Sequence, residues 1–328
     1  MALSRLEILN LRSRVLKGNP LGDLAEREVS LYLPPGYDPA RKYPALLALS
    51  GYMASGPMLF NLDGLGEDLK RKLDRLILTR KMPPVIVAAP DCLTRLAGNQ
   101  HINSPAVGRY EDFLVKEVLP FVEKRHAVLR WGVFGKSSGG LGAMVLAMRH
   151  PKTFQAVAMH SGDAGFELGY LPFFAEALDR FREAGGPAKW LKRYWADPNR
   201  RRGRHVRVLD GLGLSAFYSA DPKSLHLGIA FPFDLETGEF RPKVWARWRA
   251  WDPVNLVPRY AHNLKKLRKI YIDCGNHDEC NFQWGARSLV KALRRRGLKP
   301  VYESFDDGHL GIAYRYDRSL PMLVRALA

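Results

Sequence analysis

The chain has 328 residues, 46% hydrophobic and 26% charged, with a net charge of +18 and a pI near 9.9, the balance of a soluble globular protein. No window resembles an apolar span of about 18 residues, and the N-terminus lacks the charged, apolar, small-residue order of a signal peptide, so the expected location is cytoplasmic, with no membrane partner. Cys92, Cys274 and Cys280 supply neither a disulfide framework nor zinc-site spacing, and the denser basic runs (Arg200–Arg207, Lys265–Lys269, Arg294–Arg296) come without any nucleic-acid-binding module, so no specific nucleic acid is expected.

Strand-like apolar runs alternate with helix-like stretches, which predicts a mostly parallel central sheet with helices on both faces. Leu6–Leu16 and Glu28–Leu33 read as an opening antiparallel pair, closed by Pro34-Pro35-Gly36. Ala45–Leu49 is a short apolar strand, Leu59–Leu78 contains a helix, and Val85–Ala89 is a strand ended by Pro90-Asp91. Tyr110–Arg125 carries Phe113, Leu114, Val118, Phe121 and Val122 on one helical side. Trp131–Gly135 and Ala156–Met159 are strands, as are Ile270–Asp273 and Val301–Phe305; helices are expected over Phe282–Arg296 and around Leu320–Leu327.

Between these late strands and Ala156–Met159 the alternation stops. Residues 164–265 read as a cap-like insertion after the sixth strand of a single α/β domain spanning residues 1–328. The stretch holds Trp190, Trp195, Trp245, Trp248 and Trp251, which either line a pocket or form the insertion's own small core. It also holds an expected hairpin, Leu225–Phe233 with Glu239–Val244, turned at Glu236-Thr237-Gly238.

The most informative residues are Gly135-Lys136-Ser137-Ser138-Gly139, directly after an apolar strand and before Leu141, Met144, Val145 and Met148 at helical spacing. A strand, a glycine-flanked turn and a helix lift a serine hydroxyl clear of a sheet, the geometry of a nucleophile elbow. A serine needs a base, best a histidine held by a carboxylate, and in this fold the chain order is Ser, acid, His. His309 fits that order, because Asp306-Asp307-Gly308-His309 follows the last strand. Asp278, beyond the Gly275 turn, is the chosen acid; Asp273 and Glu279 are near competitors and Asp163 a rarer alternative position. Acyl transfer also needs oxyanion donors. The Ser138 N–H and the Tyr52 N–H, in Ser50-Gly51-Tyr52-Met53, are the candidates, with Gly51 making room for the acyl group.

These residues resemble the esterase family of α/β-hydrolases, which includes esterase D, feruloyl and acetyl-xylan esterases, enterochelin esterases and mycolyltransferases. The resemblance runs from Leu31-Tyr32-Leu33-Pro34-Pro35-Gly36-Tyr37 through Pro90-Asp91 and Tyr110-Glu111-Asp112-Phe113-Leu114 to the elbow and the Gly275…Asp278 and Gly308-His309 loops. It implies an α/β-hydrolase fold, a triad of Ser137, Asp278 and His309, and an oxyanion hole at Tyr52 and Ser138. Ser138, where members usually place Met, Leu or Ala, and Ser50-Gly51 in place of His-Gly are departures that bear on substrate. The polar loop Cys92–Gly108 either binds substrate or braces the site wall; Gly51, Asp91, Arg95 and Asn103 are the candidate substrate contacts. The expected activity is serine carboxylesterase on a small-molecule ester, with no metal and no cofactor. An acyltransferase and a catalytically silent binding scaffold are the alternatives, and the oligomeric state, homo-oligomer included, is left open.

Overall fold

The structure is a computed structural model that describes residues 3–62, 64, 66–199 and 206–328. Most of the Arg200–Arg207 run lies outside the described residues. In chain order the strands begin with β1 (Arg5–Arg12) and β2 (Glu26–Leu33), paired antiparallel, then β3 (Tyr43–Leu49) and β4 (Ile86–Pro90). A short pair, β5 (Asn103–Ser104) and β6 (Gly108–Arg109), stands apart from the main sheet. Then come β7 (Val128–Lys136), β8 (Phe154–His160), β9 (Lys269–Gly275) and β10 (Val301–Phe305). The main sheet has the spatial order β1-β2-β4-β3-β7-β8-β9-β10; β2 meets β4 antiparallel, and every pair from β4 to β10 is parallel.

The central strands are apolar on both faces because helices cover both. β3 and β4 are buried at every position. One face packs on α1 (Leu69–Leu78) through Leu69, Leu73 and Leu76. The helical run from Tyr110 lies on the other face. It consists of α2 (Tyr110–Asp112), a wide π-type segment (Phe113–Val118) and α3 (Leu119–Glu123). Pro120 has no N–H to give to the Lys116 carbonyl, so the plain α pattern expected over 110–125 cannot run through. α4 (Ser138–Arg149) is buried almost throughout.

Between β8 and β9 lie α5 (Phe166–Tyr170), α6 (Phe174–Ala184), α7 (Pro187–Ala196), α8 (Val206–Tyr218), α9 (Pro242–Arg249) and α10 (Pro253–Leu264). Of the expected hairpin one bridge forms between the arms, Phe233 to Phe240, while Ile229 of the first arm bridges to Ala220 instead. Its second arm is helical instead, because Pro242 sits in the first turn of α9, where a missing N–H costs nothing. Trp190, Trp245 and Trp248 are buried, and Trp248 packs against Tyr170, Phe174, Tyr218 and Trp245. The chain closes with α11 (Phe282–Arg295) and α12 (Tyr316–Leu327), the latter starting four residues before the expected Leu320.

Two polar clusters fasten α12. At the end of β8, His160 is fully buried with Nδ1 2.8 Å from Asp273 Oδ1 and Nε2 2.8 Å from Ser319 Oγ. Tyr271 Oη and Arg315 Nε donate to the second Asp273 oxygen, at 2.9 and 3.0 Å. Nearer α1, Lys72 and Arg75 bridge Glu67 to Asp317, with Lys72 Nζ 3.0 Å from Glu67 and 2.8 Å from Asp317. The Arg75 hydrogen bond, with Lys72, holds the Glu67 carboxyl down from 4.5 to about 2. A depressed carboxyl stabilises the fold above its unfolded value and loses that contribution as pH falls through the folded one. The melting temperature is therefore expected to drop between pH 4.5 and about 2, and to drop less in Glu67→Gln, measured by thermal denaturation across that range.

Candidate active site

The elbow is built by close approach. Ser137 sits at φ 56°, ψ −127°, a conformation that costs an ordinary residue about 1–3 kcal/mol. The Ser137 N–H donates to the His160 carbonyl at 2.9 Å, and its carbonyl accepts from Leu141 at 3.0 Å, so β8 and α4 hold the bend from both sides. A methyl on Gly139 would stand 2.2 Å from the Leu49 carbonyl oxygen, and one on Gly135 would stand 2.4 Å from the Gly139 carbonyl. Only glycine lets β3, β7 and α4 meet this tightly.

Three loops converge on the hydroxyl. His309 Nε2 lies 3.0 Å from Ser137 Oγ, and His309 Nδ1 lies 2.8 Å from Asp278 Oδ2. Asp278 and His309 are buried, at 2% and 6% exposure, while Ser137 is half-buried. Burial works against the Asp278 charge, but the hydrogen bond and charge of His309 outweigh it and hold the carboxyl below its ordinary value. An ionised carboxylate only accepts, so His309 Nδ1 donates to Asp278 and Nε2 is the nitrogen that faces the serine hydroxyl. The other Asp278 oxygen accepts from the Cys280 N–H at 2.9 Å.

The competing acids are engaged elsewhere. Asp273 belongs to the His160 cluster, and Glu279 accepts the His309 backbone N–H at 2.5 Å. Asp163 is closer to the chemistry: its Oδ1 lies 3.4 Å from Ser137 Oγ, and its Oδ2 accepts from Ser138 Oγ at 3.1 Å and Tyr170 Oη at 2.6 Å. Burial raises the Asp163 carboxyl despite those donors.

A cavity of about 50 Å³ opens beside Ser137, with walls from Tyr52, Gln100, Tyr170, Phe173, Asp210 and Phe282. Gln100 donates to Ser138 Oγ at 3.1 Å and accepts from Tyr218 Oη at 2.9 Å. None of the five tryptophans of the insertion lines this cavity; the described aromatics there are tyrosine and phenylalanine. Tyr170, Asp210 and Tyr218 had no motif to announce them, and Gln100 was visible only as one polar residue of the 92–108 loop.

Gly51 backs onto the nucleophile, since a methyl there would stand 3.5 Å from Ser137 Cβ. Among the described residues no hydrogen bond takes up the Tyr52 N–H, and the Ser138 N–H lies in the first turn of α4, where helix donors have no internal partner. The other candidate contacts sit away from the cavity. Asp91 pairs with Arg27 Nη1 at 3.3 Å, Arg95 is exposed with its backbone N–H on Asp23, and Asn103 accepts the Asp112 N–H at 3.1 Å. Each is taken up in bracing the 92–112 loop, which reaches the cavity through Gln100 instead.

Tyr52 also fixes the loop to the insertion. Its hydroxyl donates to the Leu96 carbonyl at 2.8 Å, and a methyl on Gly213 of α8 would stand 1.7 Å from that hydroxyl oxygen. Gly213→Ala is expected to destabilise the fold by about 1–3 kcal/mol in chemical denaturation. Adding Tyr52→Phe removes the clashing atom, so the double variant should recover most of the loss.

Among the described residues Asp278, Cys280 and His309 form the one group whose ligand atoms lie close enough for a metal ion, within 4.8 Å of one another. Two of them already bond each other, and burial pushes the Cys280 thiol up to about 12, so it does not offer a thiolate at neutral pH. No described helix is long and apolar enough to cross a membrane.

The profile of the Esterase family, described as "Putative esterase", matches residues 24–320. Among curated proteins, 158 residues (48% of this chain) are 28% identical to endo-1,4-beta-xylanase Y of Acetivibrio thermocellus, and the match spans 12% of that protein. Among solved structures, a ferulic acid esterase superposes with a TM-score of 0.65 at 18% identity, over 99% of this chain and 100% of its own. An S-formylglutathione hydrolase from Agrobacterium tumefaciens gives 0.60 at 15% identity, over 100% of both chains. At such identities the structural likeness speaks for the fold, which is that of the α/β-hydrolases. The profile match over nearly the whole chain, joined to the elbow and its converging loops, places this chain in the esterase family.

Proposed function

We propose that the chain is a serine carboxylesterase that hydrolyses small-molecule esters through an acyl-enzyme. The observation that carries the reading is the unbroken chain from Ser137 Oγ to His309 at 3.0 Å and on to Asp278 at 2.8 Å. Ser137 attacks the ester carbonyl while His309 Nε2 takes its proton, and Asp278 steadies the imidazolium through Nδ1. The Tyr52 and Ser138 N–H groups receive the developing oxyanion; one such donor is typically worth about 3 kcal/mol in the transition state. His309 then returns its proton to the leaving alkoxide. Water, deprotonated by the same nitrogen, attacks the acyl-enzyme; Ser137 Oγ leaves and takes that proton back from His309 as the acid is freed. Residues 164–265 act as a cap that walls the acyl cavity through Tyr170, Phe173 and Asp210.

A fluorophosphonate probe tests the reading directly, because it reacts with an activated serine and needs no matched substrate. The expected result is a single adduct at Ser137, with hydrolysis of short-chain p-nitrophenyl esters by the same preparation. Folded protein that stays unlabelled at Ser137 and turns over no ester would instead favour a silent binding scaffold.

A further inference from the structure

The cavity beside Ser137 leaves one account open. Buried polar groups in folded proteins nearly always have a hydrogen-bond partner. Gln100, Ser138, Asp163, Tyr170 and the Tyr52 hydroxyl all have theirs. Asp210 lines the same cavity, on the face of α8 that carries Gly213 and Leu214; it is half-buried, and among the described residues its carboxyl makes no hydrogen bond or ion pair. Arg207, one turn earlier, does not pair with it; its guanidinium lies over the Phe173 ring, 5.4 Å from the centroid.

We propose that Asp210 is a specificity-determining residue of the acyl pocket, which receives a hydrogen-bond donor, a hydroxyl or an ammonium, carried on a short acyl group. This rests on the esterase reading of Ser137. The cavity is small, about 50 Å³, which suits an acyl group of a few heavy atoms. Tyr170, Phe173 and Phe282 supply apolar walls, so Asp210, the one lining carboxyl without a partner among the described residues, decides which small acyl groups are favoured. A site built to hydrogen-bond a hydroxyl rejects the analogue lacking it far more strongly than an apolar pocket rejects an extra methylene.

The electrostatics agree. Burial, reinforced by the nearby Asp163 and only partly offset by Arg207, pushes the Asp210 carboxyl up to about 8. Near neutral pH it is therefore a carboxylic acid that can both donate to and accept from a substrate hydroxyl. An ammonium would draw it into its ionised form. Tyr52 and Cys280, the other titratable groups that feel its charge, are themselves held neutral by burial.

The test compares p-nitrophenyl esters of propionate, glycolate and glycine, which are nearly isosteric and differ in carrying CH3, OH or NH3+ at one position. Rates are read as kcat/KM after subtracting the Ser137→Ala background and dividing by each ester's hydroxide-catalysed rate, which removes the intrinsic activation by an α-oxygen or α-ammonium. Wild type is expected to prefer the glycolyl over the propionyl ester by at least about tenfold. Asp210→Leu should bring that ratio to about one. Asp210→Asn, which keeps shape and hydrogen bonding but not the charge, should retain the glycolyl preference and lose any glycyl preference. An unchanged ratio in Asp210→Leu, or a wild type indifferent to the hydroxyl, overturns the proposal while leaving the esterase reading intact. A chain that hydrolyses none of the three esters and takes no fluorophosphonate overturns both.

Discussion

Ser137→Ala is expected to lower kcat toward p-nitrophenyl esters by about 10⁶-fold, with the fold intact by circular dichroism. On the proposed mechanism the hydroxyl is the one described atom of the site placed to form the acyl-enzyme, since burial holds the nearby Cys280 thiol protonated. His309→Ala should cost about as much, and the double variant hardly more. Ser137 and His309 share one step, so removing either removes it. The residual rate over water would measure what the backbone donors and the cavity contribute alone. A Ser137→Ala protein with near wild-type turnover would refute the nucleophile assignment outright.

The second large effect is expected from Asp278→Asn, about 10⁴-fold in kcat. The local hydrogen bonds say why a near-isosteric change should matter. One carboxylate oxygen accepts the Cys280 N–H at 2.9 Å, and the other accepts His309 Nδ1 at 2.8 Å. An asparagine has a single acceptor, and the fixed Cys280 N–H claims it. The amide nitrogen then faces Nδ1, which must become an acceptor, so the ring proton moves to Nε2. A histidine in that tautomer cannot take the serine proton. NMR of the imidazole nitrogens should show the exchange of tautomers directly. Loss of activity with the tautomer unchanged would sink this explanation.

Where the sequence could be read and where it could not follows from the range of the forces involved. The elbow is a local device: five residues, two of them glycine, with a strand before and a helix after, all adjacent in the chain. The loops carrying Asp278 and His309 were visible because each ends a strand of a regular alternation. The insertion offers no such period. Its core is held by tertiary aromatic contacts around Trp248, and the contact of Gly213 with Tyr52 joins positions far apart in sequence. The hairpin over 225–244 failed at Pro242, whose fixed φ suits a helix start as well as a turn. Asp91, Arg95 and Asn103 were chosen for residue type and loop position, and so shared a description with Gln100. Only the packing of the 92–112 loop separates the one that faces the cavity from the three that do not.

The cluster that anchors α12 has a practical consequence for anyone scanning folds for serine enzymes. Ser319, His160 and Asp273 reproduce the spacing of Ser137, His309 and Asp278 to within a few tenths of an ångström, 2.8 and 2.8 Å against 3.0 and 2.8 Å. These two distances alone do not tell the two trios apart. What separates them is reach: Ser319, His160 and Asp273 are each 0% exposed, so no ester can arrive. Such scans need a filter for access as well as shape, and this molecule carries an accessible and a sealed Ser-His-Asp trio in a single chain.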